Sequence, residues 1–299
     1  MSMNNIFIAI LHGLILGGAY SLIAVGLSVI FGVVRIINFS HGAMLMASAF
    51  AYYELFTRFN VDPFFAMFVI APAFFIIGFL LQKVVIRPLL IRESASVLEP
   101  TSVMLFTIGL DYAICNLYLM IYTSRYKTLN TWSYKNYFRA FDNSFVTQYS
   151  RLIAFLLCFV VAFGLWFIIN KTELGKKIRA VSQNRDAAAL CGVDVHTTYG
   201  IAFGLGTAAL AIAGAAMSSF YLVSPSVGNV FGTKSFMIVV LGGLGSIPGA
   251  IVGGMIFGLI EQVAAQFIPS TMASMLSFAV FLVVLILKPD GLLGHRKRK

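Results

Sequence analysis

IFIAILHGLILGGAYSLIAVGLSVIFGVV, Ile6–Val34, runs for 29 residues without an Asp, Glu, Lys or Arg. About 20 apolar residues suffice for a helix to cross the hydrocarbon core of a bilayer, so this stretch is predicted to span it. The rest of the chain agrees. Of its 299 residues, 60% are hydrophobic and 11% charged, less than half the charge density of about 25% usual for soluble domains. Mean hydropathy is +0.92. Breaks at charges and prolines place further spans near 41–57, 63–86, 100–122, 151–170, 199–223, 248–268 and 271–287. Residues 234–246 are apolar but short and glycine-dense, as in a broken or re-entrant helix, which membranes tolerate where the backbone is buried in protein or lines a wet cavity. The expected fold is an all-α integral membrane protein, a bundle of about eight or nine transmembrane helices with one short or broken Gly-rich segment, in a single membrane domain over 1–299.

The first positive charge is Arg35. With no basic region before the apolar run, a cleavable leader is not expected, and the run is expected to be retained. The net charge of +10 is spread between apolar runs and over the final residues Arg296, Lys297, Arg298 and Lys299. That placement fits loops beside anionic lipid headgroups better than a nucleic-acid surface. With the N-terminus outside and 234–246 counted as a crossing, fourteen basic residues fall inside and seven outside. The inside set holds Arg35, Lys83, Arg87, Arg92, Lys171, Lys176, Lys177, Arg179, Arg185, Lys288 and the basic tail. Arg58, Arg125, Lys127, Lys135, Arg139, Arg151 and Lys234 make up the outside set. The positive-inside bias therefore gives N-out, C-in. The outside loop 123–150 also carries Trp132, Tyr134, Tyr137, Phe138 and Phe141, a composition suited to a helix in the headgroup region.

Motifs of catalysis are missing. There is no GxxxxGK[ST], HExxH, CxxC or GxSxG, and His12, His41, His196 and His295 are scattered. Cys115, Cys158 and Cys191 lack metal-ligand spacing and are read as small buried hydrophobes. Glycines four apart (Gly13 and Gly17; Gly245, Gly249 and Gly253; Gly254 and Gly258) predict close helix packing. A faint similarity links GGAYSLIA at 17–24 with GTAALAIA at 206–213.

The longest inside loop, 171–198, is predicted to hold a short helix over 186–190, capped by Asn184 or Ser182 and closed by Gly192 in a left-handed conformation. Its residues Asp186, Ala187, Ala188, Ala189, Leu190, Cys191 and Gly192 resemble the EAAxxxG pattern of ABC importer permeases, with Asp in place of Glu. Three further stretches extend the likeness. GLILGGAYSLIAVGLSVIFGVVRIINFSHGAMLM (13–46), VLGGLGSIPGAIVGGMIFGLIE (240–261) and KPDGLLG (288–294) are similar to the branched-chain amino acid ABC permease family, whose signature near NFAHGE stands here as Asn38-Phe39-Ser40-His41-Gly42-Ala43. The resemblance implies a permease that pairs with a second, homologous permease, docks two cytoplasmic ATPases through residues 186–192 and receives substrate from an external binding protein. No cofactor is expected on this chain, since ATP and Mg would sit on the ATPases. Within the family, urea or a short amide is an alternative substrate; outside it, the alternative is a passive channel or an ion-coupled carrier.

Polar residues inside the spans are the candidates for the pathway. Asp111 sits near the middle of the fourth span, where a charge costs about 2.5–3.5 kcal/mol on insertion scales. It is expected either to hydrogen-bond between helices or to contact a ligand amine or cation. Asn116 follows five residues later at a position the family often keeps polar. Relatives usually carry a small hydroxyl residue at position 111 and an acid at position 43, so Asp111 and Ala43 both depart from the pattern. Glu261 is read first as a salt-bridge or capping residue. Asn38 and His41 are expected near the inside surface, tying the link between the first two spans, with gating as a second role. Tyr20 is left between lining the pathway and packing.

Overall fold

The computed structural model describes residues 3–93, 101–140 and 145–294. His295, the basic tail Arg296 to Lys299, Phe141 and the side chain of Arg92 lie outside that description. In chain order the helices are α1 (Met3–Val34), α2 (His41–Phe59), α3 (Pro63–Leu81), α4 (Arg87–Glu93), α5 (Thr101–Tyr122), α6 (Trp132–Lys135), α7 (Tyr149–Lys171), α8 (Glu173–Gln183), α9 (Arg185–Leu190), α10 (Val195–Ser218), α11 (Val227–Gly242), α12 (Ile247–Ala264) and α13 (Ser270–Leu287). A π-helical turn, Gln82–Ile86, joins α3 to α4. Among the described residues seven stretches are helical, long and apolar enough to cross a membrane: α1, α3 with its continuation, α5, α7, α10, α12 and α13. Helix α2 is as long as several of these but more polar, and α11 is a shorter apolar helix of 16 residues. The protein is thus an all-α multi-pass membrane bundle.

Helices α1 and α10 form its centre and are buried over most of their length, whereas α5 and α13 have few buried residues. The exposed side chains are those of a lipid-facing belt: Leu105, Met120, Phe163 and Ile286 are each more than half accessible. Close backbone approach sets the central packing. A methyl group on Gly17 of α1 would stand 2.6 Å from the Cα of Met255 in α12, and one on Gly258 would stand 2.4 Å from the Gly17 nitrogen. Small residues are needed there because backbone meets backbone. Two faces of α12 are used, since Gly254 and Gly258 meet α1 while Gly249 and Gly253 meet α11. Gly245 does not belong to that ridge. It lies in the turn before α12 with φ +80°, so the spacing that groups it with Gly249 is coincidental.

Several boundaries differ from the sequence reading. The Gly-rich segment 234–246 is the second half of α11 and the turn after it, so Lys234 is a bundle residue rather than a loop charge. Outside the spans, 123–150 is no single helix. It holds the four-residue α6 and a hairpin of β1 (Tyr137–Ala140) and β2 (Phe145–Gln148), with Tyr137 opposite Gln148. Its Lys127 exchanges two backbone hydrogen bonds with Val223, of 2.8 and 2.9 Å. Of the cysteines only Cys158 is buried; Cys115 is half-buried and Cys191 exposed.

Candidate functional site

Between α1 and α2, residues 35–40 turn back into the bundle. His41, the first residue of α2, is fully buried, and its Nε2–H donates to the Ile23 carbonyl at 3.1 Å. Ile23 lies eleven residues before the end of α1, about 16 Å deeper at 1.5 Å per residue. Asn38 and His41 are therefore deep in the bundle and not near its surface. The sequence reading missed this because 35–40 looks like any short polar connection. Asn38 holds the corner by accepting from the Ser40 N–H at 3.2 Å and the Ser40 hydroxyl at 2.7 Å.

Helix α2 starts in the interior with four N–H groups lacking intrahelical partners. Ser40, at its N-cap, makes no side-chain cap. The Asp111 carboxylate of α5 lies near one of the four, the Ala43 N–H. Positions 43 and 111 are thus neighbours, and a carboxylate at the positive end of a helix is stabilised there. Asp111 remains part-exposed because it also lines an open crevice of about 590 Å³. The opposite wall is α11, with Asn229, Thr233, Phe236 and Met237, while Phe39, Ile108 and Phe281 complete the apolar lining. None of the lining residues is Lys or Arg. At its floor α2 crosses α11, where a methyl group on Gly42 would stand 2.2 Å from the Gly228 oxygen. Such a wall suits a ligand with one apolar part and one hydrogen-bond-donating or cationic group.

Asn116 does not line the crevice. Five residues along a helix from Asp111 is about 140° around it, and its amide donates instead to the Tyr112 carbonyl of its own helix at 2.8 Å.

Glu261 and Tyr20 meet elsewhere, around a residue the sequence reading placed in a loop. Lys234 Nζ lies 2.8 and 2.9 Å from the two Glu261 oxygens and 2.9 Å from the Tyr20 hydroxyl. The Tyr20 hydroxyl donates to Glu261 at 2.9 Å and Ser274 donates at 2.5 Å. The ion pair is about 15% accessible on each side, and the ammonium also sits 4.8 Å above the Tyr20 ring. Four helices, α1, α11, α12 and α13, are joined here. This is the salt bridge expected of Glu261, and it places Tyr20 among packing residues rather than on the crevice wall.

Beyond the spans, α8 and α9 form a bent arm between α7 and α10. Thr172 caps α8 by accepting from the Gly175 N–H at 3.2 Å, and the Arg179 guanidinium donates to the Ile169 carbonyl. The Asn184 side chain accepts from the N–H groups of Asp186 and Ala187 at 3.0 and 3.1 Å, starting α9 where the sequence predicts. The end also follows the prediction. Gly192 has φ +81°, with Gly192 N–H to Ala189 and Val193 N–H to Ala188 closing a Schellman motif. Leu190 is 91% exposed and Asp186 is exposed, whereas Ala188 turns inward. At the base of α10, Asp194 accepts from the Thr197 hydroxyl and N–H, which hold its carboxyl below the ordinary range.

Residues 9–285 match the family model described as "Branched-chain amino acid transport system / permease component". The chain is 29% identical over 300 residues to the high-affinity branched-chain amino acid transport system permease protein BraD of Pseudomonas aeruginosa, covering 96% of this chain and 95% of that one. It is 27% identical to the permease protein LivH of Escherichia coli, over 95% of this chain and 94% of that protein. A shorter stretch, 36% of the chain, is 32% identical to 29% of the xylose transport system permease protein XylH of the same organism. No solved structure matches the chain.

Proposed function

The chain belongs to the branched-chain amino acid transport permease family, and from that premise we propose that it is the membrane subunit of an ATP-driven importer for branched-chain or other hydrophobic amino acids. The observation that carries the mechanism is α9, capped at both ends and presenting Leu190 to solvent. An ATPase subunit receives this helix through Asp186, Ala187, Leu190 and Gly192, with Ala188 supporting it from beneath. The chain itself breaks no bond. ATP and Mg bind on two cytoplasmic ATPases, a second homologous permease completes the membrane part, and an external binding protein delivers substrate. The complex sits in the cytoplasmic membrane with the N-terminus of this chain outside and its C-terminus inside. Residues 171–198 then face the ATPases and 123–150 the binding protein.

In this reading the crevice is one wall of the pathway. Asp111 receives the substrate ammonium, while Phe39, Phe236 and Phe281 accept its apolar part. Nucleotide-driven closure of the ATPases moves the permease pair between two states, exposing the wall to one side or the other. The apolar lining favours a hydrophobic amino acid over urea. The lack of a basic partner for Asp111 on the crevice wall is what an ion-coupled carrier would also show, and the experiment separates the two. The tagged chain is extracted gently from its own membranes and its companions are identified by mass spectrometry. Recovery of a P-loop ATPase and a second permease is expected. Recovery of this chain alone, with uptake into liposomes that needs no ATP, would overturn the importer in favour of the carrier.

A further inference from the structure

Residues 35–40 are fastened at both ends, to different parts of the molecule. At the start, Arg35 adopts φ +56°, a left-handed conformation that side chains other than glycine rarely take. Its N–H closes the last turn of α1 on Phe31 at 2.9 Å, and its guanidinium donates to the Ser182 carbonyl at 2.7 Å. Ser182 lies in the last turn of α8, two residues before the Asn184 that caps α9. At the far end, the Phe39 N–H donates to the Thr107 hydroxyl of α5 at 3.3 Å, and its ring lies 5.2 Å from that of Phe236 on α11. Both rings line the crevice.

The link is folded and held rather than extended. Its second half closes a turn, with the His41 N–H donating to the Asn38 carbonyl at 3.3 Å and Ser40 donating to the Asn38 side chain. Ile36 and Asn38 are buried while Ile37 faces outward. A shift of the α8–α9 arm that carries Arg35 with it is passed along this held segment to Phe39.

We propose that Arg35 is a positioning residue which ties the hydrogen-bonded 35–40 link to the α8–α9 arm, so that movement of the docking helix is delivered to the crevice wall at Phe39. The proposal rests on the importer reading above. Its guanidinium is the tie, and its left-handed backbone directs the chain from the end of α1 toward the crevice. Substrate is not touched by Arg35, which acts through Phe39.

The test uses the complete importer in proteoliposomes, reading substrate uptake and ATP hydrolysis together. Arg35→Gly suits the left-handed backbone while removing the guanidinium, so it separates the tie from the turn. It is expected to assemble with the ATPases and hydrolyse ATP, with substrate moved per ATP falling about tenfold. Arg35→Lys, which keeps a cationic donor, is expected to recover most of that loss. A second variant with two glycines inserted between Ile36 and Ile37 keeps both anchors but adds about 7 Å of slack, and is expected to uncouple in the same way. An unchanged transport-to-hydrolysis ratio in either Arg35→Gly or the insertion would overturn the proposal. So would failure of Arg35→Gly to assemble, which would make Arg35 a folding residue. Wild-type proteoliposomes without ATP-dependent uptake would refute the importer reading first, and the relay with it.

Discussion

Removing one partner of the Lys234–Glu261 pair exposes how strongly this bundle depends on it. Each charge is about 15% accessible, and a charge left alone in such a place costs about 3–5 kcal/mol. The two single variants differ in what remains. In Lys234→Met the Glu261 carboxylate keeps donors from Tyr20 and Ser274, and hydrogen bonds to a charged group are the stronger kind, so the loss is expected near 3 kcal/mol. In Glu261→Met the ammonium keeps the Tyr20 hydroxyl and its position over the ring, and the loss is expected near 5 kcal/mol. Replacing both by methionine removes the charges together, and the double variant is expected close to wild type. The assay is thermal unfolding of the purified chain in lipid nanodiscs for the wild type, both singles and the double. At roughly 2 °C per kcal/mol, the singles are expected to melt lower by about 6–10 °C. Additive singles, or a double variant as unstable as the worse single, would refute the reasoning, because the cost would then belong to lost packing and not to an unpaired charge.

Asp111→Asn is expected to lower uptake by the complete importer several-fold through KM, since the amide keeps the volume but not the charge; unchanged uptake between pH 5 and 8 would leave Asp111 as only a cap for α2. Leu190→Asp puts a charge on the exposed docking face and is expected to abolish ATPase co-purification while leaving the melting temperature of the isolated chain unchanged. Gly192→Trp forces a bulky residue into φ +81° at a cost of about 1–2 kcal/mol, and ATP-driven uptake that survived it would remove the docking assignment. Asp194 is held below its ordinary range by Thr197, so its contribution to stability is present above the unfolded aspartate pKa of about 3.9 and is lost as pH falls through the lower folded value. Asp194→Asn should melt slightly below the wild type at pH 7 and converge with it in acid, which flattens the acid limb of the melting profile.

What the sequence made legible was whatever depends on local chemistry. Long apolar runs announce spans because a bilayer leaves backbone no other partners, and Asn184 and Gly192 mark the ends of α9 because each solves a problem within one turn. Glu261 was readable as a salt-bridge residue, but its partner was not: Lys234 counts as a loop charge until the fold brings α11 against α12. Asn38 and His41 were assigned to the right corner at the wrong depth, since nothing local says that 35–40 re-enters the bundle. The likeness to the family singled out Ala43 and Asp111 separately, and only the three-dimensional arrangement shows one meeting the other. Asn116 is close to Asp111 in sequence yet lies on another face of α5, because five residues along a helix is about 140° around it. The aromatic composition of 123–150 suited a surface helix, yet the pairing of Lys127 with Val223 and the hairpin are long-range choices that composition does not encode.

ATP-driven uptake that needs this chain is the central expectation of the importer reading. Proteoliposomes carrying the co-purified complex, loaded with ATP and Mg inside and given binding protein and radiolabelled leucine outside, are expected to accumulate leucine against its gradient, and to stop when Leu190→Asp replaces the wild-type chain. Accumulation that persists with ADP inside, or in proteoliposomes reconstituted from Leu190→Asp and separately purified ATPases, would contradict the importer reading.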